Sequence, residues 1–327
     1  MLRIGIAGCG RAAKIHLGRL QVRPGVQIVG LADPDPSASG ALAALVTSSE
    51  GPIPTFTDHK DLLNKAAPHA LAVFAPHRNH YRLAMDALQA GCHLFIEKPL
   101  STNSQEAEDI VNLAKGRGRV VAVGHQYRLN PFLKAARKLL TDGKIGPIRM
   151  ASATLSSPWL ARHQEKADAW RLDPKLAGGG ILADVGDHLL DALLWTTGQT
   201  AVEVAAFQNR NAPGLDVVTA AALRLRDGTP VTLGISGICA SGLFELAYYG
   251  ESGRIRVGDK SLHVALGDGA EENVVLSQDT ETIDGDFVAA IAEKRPPCCP
   301  AEETLGTVRL LEAIARSATS GQVVRLA

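Results

Sequence analysis

Neither sign of charge is in excess: Lys and Arg number 34, as do Asp and Glu. No net field therefore recruits nucleic acid or an anionic membrane. No apolar run approaches the roughly 18 residues of a membrane span. Strand-like residues begin at Leu2, which points to no signal or transit peptide. Cysteines are few: Cys9, Cys92, Cys239, Cys298 and Cys299 are odd in number and lack C-x-x-C spacing. That argues against a disulfide framework and against a zinc site, and it favours a reducing cytoplasm. There is no internal repeat and no low-complexity segment. What remains is an ordinary globular composition, 46% hydrophobic and 21% charged over 327 residues, a length that suggests two domains.

The two halves differ in texture. Up to about residue 125, short apolar runs ("LRIGIAG", "VQIVGLAD", "ALAVFAP", "HLFIEKP", "VVAVGHQ") alternate with helical patterns such as "HYRLAMDALQAG" and "SQEAEDIVNLAKGRG", the latter with Ser104 as its expected cap. Strands apolar along their whole length are strands covered on both faces, so the alternation predicts a parallel sheet with right-handed crossovers. A connecting helix follows within 127–144. Beyond it, "IGPIRMASATLSS", "VEVAAFQNR", "VVTAAALRLR", "PVTLGISGI", "FELAYYG" and "RIRVG" read as strands, several joined by turns such as "RDGTP" and "ESG" that suit antiparallel hairpins. The expected division is 1–125 and 126–327. A terminal helix is expected over about 302–318, after the break "RPPCCP".

The first strand runs into "GIAGCGRAA". Gly8 permits a tight turn, Gly10 lets backbone approach a pyrophosphate, and Ala13 allows close helix–strand packing. The helix that follows offers free N–H groups to phosphates. Asp33 ends the second strand, where a carboxylate can accept hydrogen bonds from ribose hydroxyls and repels a 2′-phosphate; Pro34 and Asp35 bring no positive charge. The cofactor expected is NAD rather than NADP.

Two further stretches carry chemistry. "FIEKPL" puts Glu97, Lys98 and Pro99 at the carboxyl end of a strand, where an ammonium can stabilise a developing alkoxide or simply be solvated. "GGGILADVGDHLLD" carries Asp184, His188 and Asp191 at helical spacing beside apolar residues. That stretch reads either as a polar patch at a helix start, capped by Asp184 or Asp187, or as a proton-handling site.

"GCGRAA", Asp33, "APHRNHYRLAMDALQAGCHLFIEKPLS", "GHQYRLNP" and "WRLDPKLAGGGILADVGDHLLDALLWTTG" together resemble the glucose–fructose oxidoreductase / inositol dehydrogenase / rhizopine catabolism (Gfo/Idh/MocA) family over nearly the whole chain. The resemblance implies a Rossmann domain, a parallel doubly wound α/β sheet, followed by an α+β domain with a large open-faced, mostly antiparallel sheet. It implies a catalytic set of Lys98, Asp184 and His188. For NAD it implies contacts from Gly8, Gly10, Arg11, Ala12, Ala13, Asp33, Pro34, Ala75, His77, His80, Glu97 and Lys98. Lys98, Asp184 and His188 are also expected at the substrate; Gln126 and Tyr127 are candidates to line the nicotinamide or substrate pocket, Arg171 to reach a substrate oxygen or a phosphate, and Gly178–Gly180 to let backbone pass close to ligand. The resemblance further implies a cis Lys98–Pro99 peptide.

The expected activity is hydride transfer between NAD and a secondary hydroxyl of a sugar, polyol or sugar acid. The alternatives are NAD-dependent glycoside hydrolysis through transient oxidation, and ligand sensing without turnover. Asp191 is expected to be structural. Asp187 and His77 depart from the family pattern, and Asp187 has three readings: a polyol contact, a group that raises the His188 pKa, or a solvated charge. Trp159, Arg162 and His163 are expected in a loop, either covering a sugar or simply at the surface. "VVTAAAL" is apolar in both alternating phases, which predicts a second copy against the sheet and hence a homodimer or homotetramer.

Overall fold

In the computed structural model, which describes residues 1–47, 51–164, 169–211, 214–276 and 281–326, the chain forms two compact units. One comprises 1–125 and 281–305, the other 126–280 and 306–327. The expected division keeps 126–327 together, whereas 281–305 group with 1–125. The tie is a long-range one that local periodicity does not reveal.

The first unit alternates β1 (Leu2–Ala7), α1 (Arg11–Leu20), β2 (Val26–Ala32), α2 (Pro36–Ala43), β3 (Thr55–Phe56), α3 (His59–Ala66), β4 (Ala70–Val73), α4 (His80–Gln89), β5 (His93–Ile96), α5 (Ser104–Arg117) and β6 (Val121–Val123). Its six strands are parallel and lie in the order β3-β2-β1-β4-β5-β6. The order reverses between β1 and β4, and ligands of such sheets sit outside the carboxyl ends of the strands at that switch. β4 is buried along its whole length, as a doubly covered strand must be. The cap of α5 is Asn103, not Ser104: the Asn103 side chain accepts from Glu106 N–H, so the helix begins one residue earlier than expected.

The second unit begins with α6 (Pro131–Thr141), capped by Asn130, whose side chain accepts from Phe132 and Leu133 N–H. After β7 (Ile148–Ser156) come α7 (Trp159–Gln164), α8 (Pro174–Ala177), a π-helical turn at Leu182–Gly186 and α9 (Asp187–Thr197). The strands β8 (Ala201–Arg210), β9 (Asp216–Leu225), β10 (Pro230–Ser236), β11 (Leu243–Gly250), β12 (Gly253–Gly258), β13 (Leu262–Leu266) and β14 (Glu272–Asn273) follow. Then α10 (Ile283–Glu293) belongs to the first unit, α11 (Ala301–Ser320) begins there, and β15 (Val324–Arg325) closes the second. The sheet runs β14-β13-β12-β11-β7-β10-β9-β8-β15 and is antiparallel except where β10 meets β7. A single core buries Leu189, Leu193, Trp159 and Tyr248 against Val204, Leu223 and Leu233. The other phase of the strands faces outward: Phe207 is 79% exposed, Ala220 and Ala222 are exposed, and Met150 pairs with Tyr249, both exposed.

Candidate active site

In the first unit the glycine turn leads from β1 into the head of α1. Gly8 has φ +88, and a Cβ there would lie 2.6 Å from the Phe74 carbonyl carbon, so both conformation and space demand glycine. Gly10, by contrast, has no neighbour within 4 Å of where a Cβ would stand. It heads α1, which has no side-chain cap and no acidic residue in its first turn. Bare N–H groups and the positive end of a helix dipole thus stand beside free space, and these residues fit a dinucleotide's pyrophosphate. Asp33 is half-buried. Its Oδ2 accepts from Cys9 N–H at 2.7 Å and its Oδ1 from Asp35 N–H at 2.9 Å, which fixes the carboxylate in place with lone pairs left for ribose hydroxyls. Cys9 takes no part as a nucleophile: burial, and then the Asp33 charge, push its thiol up to about 12. Arg11 and Pro34 are exposed, Ala12 is half-buried and Ala13 is buried under the turn.

At the carboxyl end of β5, Lys98 is only 8% exposed and the Lys98–Pro99 peptide is cis. Ala75 and His77 follow β4; Ala75 is half-buried and His77 is buried. His80 is fully buried. Its Nδ1 lies 2.7 Å from the Pro99 carbonyl oxygen and its Nε2 2.9 Å from that of Ala75. Both ring nitrogens thus face backbone carbonyls, as suits the reading of His80 as a helix-start residue turned into the fold.

In the second unit Asp184 is the hub. It is buried, and its Oδ2 accepts from the Trp159 indole N–H at 2.8 Å and from Arg171 Nε at 3.0 Å, with His163 Nε2 at 3.9 Å. Trp159 stands in α7 at 1% exposure, so it is a wall of the site rather than the loop expected. His188, half-buried, meets the edge of Tyr127 at 5.3 Å between ring centroids, and Tyr127 stacks on Phe244 at 4.4 Å. Burial raises the Tyr127 pKa above the ordinary phenol value. Gln126 is exposed. Asp191 is structural, as expected: Arg128 grips it through Nε and Nη2 at 2.9 and 2.7 Å, both residues buried.

Three expectations for this stretch change. Asp184 does not lie on a regular α-helix with His188: it sits inside the π turn Leu182–Gly186, and α9 begins only at Asp187; such turns widen the backbone and recur at functional sites. Asp187 is fully buried, so it is not a solvated charge. The three glycines serve the fold: Gly178 (φ +74) ends α8, a Cβ on Gly179 would meet Ala183 at 2.7 Å, and a Cβ on Gly180 would collide with the backbone of Asp216. Asp216 also caps the stretch, accepting from Gly180 N–H at 2.7 Å and Leu182 N–H at 2.8 Å. Sequence reasoning missed it; a lone aspartate opening a strand was its only trace.

A 3-2-1-4-5-6 parallel sheet with a bare glycine-headed helix, followed by a nine-stranded open-faced sheet, defines a two-unit fold whose first unit is of the dinucleotide-binding type. Residues 2–125 match the family model described as "Oxidoreductase family, NAD-binding Rossmann fold", and residues 133–256 match the "GFO/IDH/MocA C-terminal domain". The chain belongs to the Gfo/Idh/MocA family. It is 30% identical to the D-glucoside 3-dehydrogenase of Escherichia coli over 205 residues, 62% of this chain and 56% of that protein. It is 25% identical to the inositol 2-dehydrogenase of Rhizobium meliloti over 205 residues, 63% of this chain and 58% of that one. The chain thus spans little more than half the length of these relatives. An oxidoreductase domain protein from Kribbella flavida has the same fold, with a TM-score of 0.87 and 25% identity over 100% of this chain and 99% of that one.

Proposed function

We propose that the protein is an NAD-dependent dehydrogenase acting on a secondary hydroxyl of a sugar, polyol or sugar acid. The observation that carries the reading is Lys98, held at the carboxyl end of β5 beside the β1/β4 switch, on the same sheet edge as the glycine turn. The relatives' names support the substrate class, since a glucoside and an inositol both present ring hydroxyls. The nicotinamide of bound NAD supplies the hydride acceptor. The glycine turn and the α1 N-terminus hold the pyrophosphate, with Ala13 packing beneath; Asp33 takes the ribose hydroxyls and sets NAD over NADP. Lys98 stabilises negative charge on the reacting oxygen. His188 takes the hydroxyl proton. Asp184, held in place by Trp159 and Arg171, orients a neighbouring hydroxyl.

A panel of sugars, polyols and sugar acids scanned for NADH absorbance tests this. Net NADH formation with at least one compound is expected, with kcat/KM higher for NAD than for NADP. Glycoside cleavage without NADH release, or tight ligand binding without turnover, overturns it.

The same reading makes the outward sheet face a contact with a second copy. Its small and aromatic residues, Ala220 and Ala222 beside Phe207, are apolar where a wet face would alternate polar. Light scattering should give a dimer or tetramer, and Phe207→Glu should shift it toward monomer; a monomeric parent overturns the contact. All five cysteines are free, which fits a reducing cytoplasm.

A further inference from the structure

Two histidines outside the reacting set hold the segment that carries Lys98. His16 of α1 is buried between two carboxylates. Its Nε2 donates to Glu97 Oε1 at 3.0 Å and its Nδ1 donates to Asp284 Oδ1 of α10 at 2.6 Å. Arg19 reaches the second oxygen of Asp284 at 3.5 Å. The ring also stacks on Phe74, 4.6 Å between centroids and 24° apart in plane, and leans on Phe95 at 5.2 Å. Glu97 is packed from its other side: a Cβ on Gly124 would meet its Oε1 at 2.8 Å. His80 holds the opposite end of the segment: as the Nδ1–H tautomer it donates to the Pro99 carbonyl, with Nε2 2.9 Å from the carbonyl oxygen of Ala75 just beyond β4.

We propose that His16 and His80 are positioning residues that brace Lys98 from both sides, His16 through Glu97 and His80 through the Pro99 carbonyl. This rests on the reading of Lys98 as the group that stabilises charge on the reacting oxygen. Neither ring touches the reacting atoms. His16 holds the Glu97 side chain on one flank of Lys98 and His80 meets the backbone carbonyl of Pro99 on the other, so the ammonium projects from a clamped segment rather than a free loop.

The His16 brace depends on protonation. Burial works against a charge on the ring, but the hydrogen bonds and charges of Asp284 and Glu97 outweigh it and raise the pKa to about 9. Below that pH both nitrogens donate. Above it one carboxylate faces a lone pair, and the clamp on Glu97 weakens. His80 faces only carbonyls through its nitrogens, with the edge of His77 5.7 Å away and the charges of Glu97 and Lys98 acting on it with opposite sign. Its burial pulls the pKa below the ordinary imidazole value against the pull of those carbonyls. This second brace therefore does not share the alkaline transition of His16.

The test separates the brace from the chemistry it serves. Lysine acetylation by an N-hydroxysuccinimide ester, followed by peptide mass spectrometry, reads the reactivity of Lys98 relative to the exposed Lys14 without any substrate. His16→Gln and His80→Phe should each raise that ratio about 3-fold or more as the segment opens locally. With an active substrate, both should lower kcat about 10-fold or more with KM nearly unchanged, because a displaced ammonium costs transition-state rather than ground-state binding. The wild type should lose kcat as pH rises through about 9, and His16→Gln should lack that limb. Asp284→Asn, which keeps the shape but removes one charge, should move the limb to lower pH; it serves as well if His16→Gln does not fold. An unchanged Lys98 ratio in the folded variants, or an unmoved alkaline limb in Asp284→Asn, overturns the brace. Lys98→Met with full turnover would instead overturn the underlying role of Lys98, and the labelling result for the brace would stand on its own.

Discussion

Each unit contains a glycine turn tied to an aspartate, and the two turns serve opposite ends. In the first unit Gly8 and Gly10 open a turn whose N–H at Cys9 is held by Asp33. In the second, Gly178–Gly180 open a turn whose N–H groups at Gly180 and Leu182 are held by Asp216. The space at Gly10 is empty, whereas the space at Gly180 is filled by the chain's own β9. On the proposed function, a glycine that leaves room for a ligand and a glycine needed for the fold are told apart by what stands opposite the missing Cβ, not by the motif that contains them.

That contrast can be broken by substitution. Gly180→Ala should have the largest effect, about 4 kcal/mol or outright failure to fold, since backbone on both sides has nowhere to move; urea unfolding measures it. Next comes a loss that belongs to the first unit but not to its glycine turn. The His16 pKa is raised from the ordinary 6.5 to about 9, so its stabilising contribution is complete below 6.5 and is lost as pH rises through about 9. Roughly 3 kcal/mol should disappear across that window in unfolding measured at several pH values, and His16→Gln should show no such slope. Asp216→Asn should cost about 2 kcal/mol, because its amide presents a donor to one of two buried N–H groups. Gly10→Ala should change stability by less than about 0.5 kcal/mol yet weaken NADH binding about 10-fold or more, measured by fluorescence titration. A Gly10→Ala that unfolds, or a Gly180→Ala that stays fully stable, erases the contrast.

The features that could be read from the chain alone were those written in neighbouring residues. The buried strands of the first unit, the glycine turn before α1 and the carboxylate ending β2 follow from local period and spacing. The strand-rich second half and its hairpin turns follow in the same way. Ser104 is the expected cap of α5, but the Asn103 before it is an equally good capping residue and takes that place, so the helix start differs by one residue. Other features depended on partners far along the chain. Asp284 lies far from His16, and that pair helps explain why 281–305 return to the first unit. The inward turn of His80, the burial of Trp159 against Asp184 and the clamp of Asp216 on the glycine run depend on tertiary packing. No periodicity encodes them.

The split composition of the first unit also bears on how the chain is made. Glu97 emerges from the ribosome with the parallel sheet, but Asp284 arrives only after nearly the whole second unit has been synthesised. Until then His16 has one of its two carboxylates and α1 lacks the helix that covers it. The sheet can form early, but the Lys98 segment acquires its full set of restraints late, so a nascent chain passes through a stage with a formed nucleotide fold and an incompletely held lysine. Completion of that fold is a long-range closure rather than a local event, since 281–305 must return to α1 across the whole second unit.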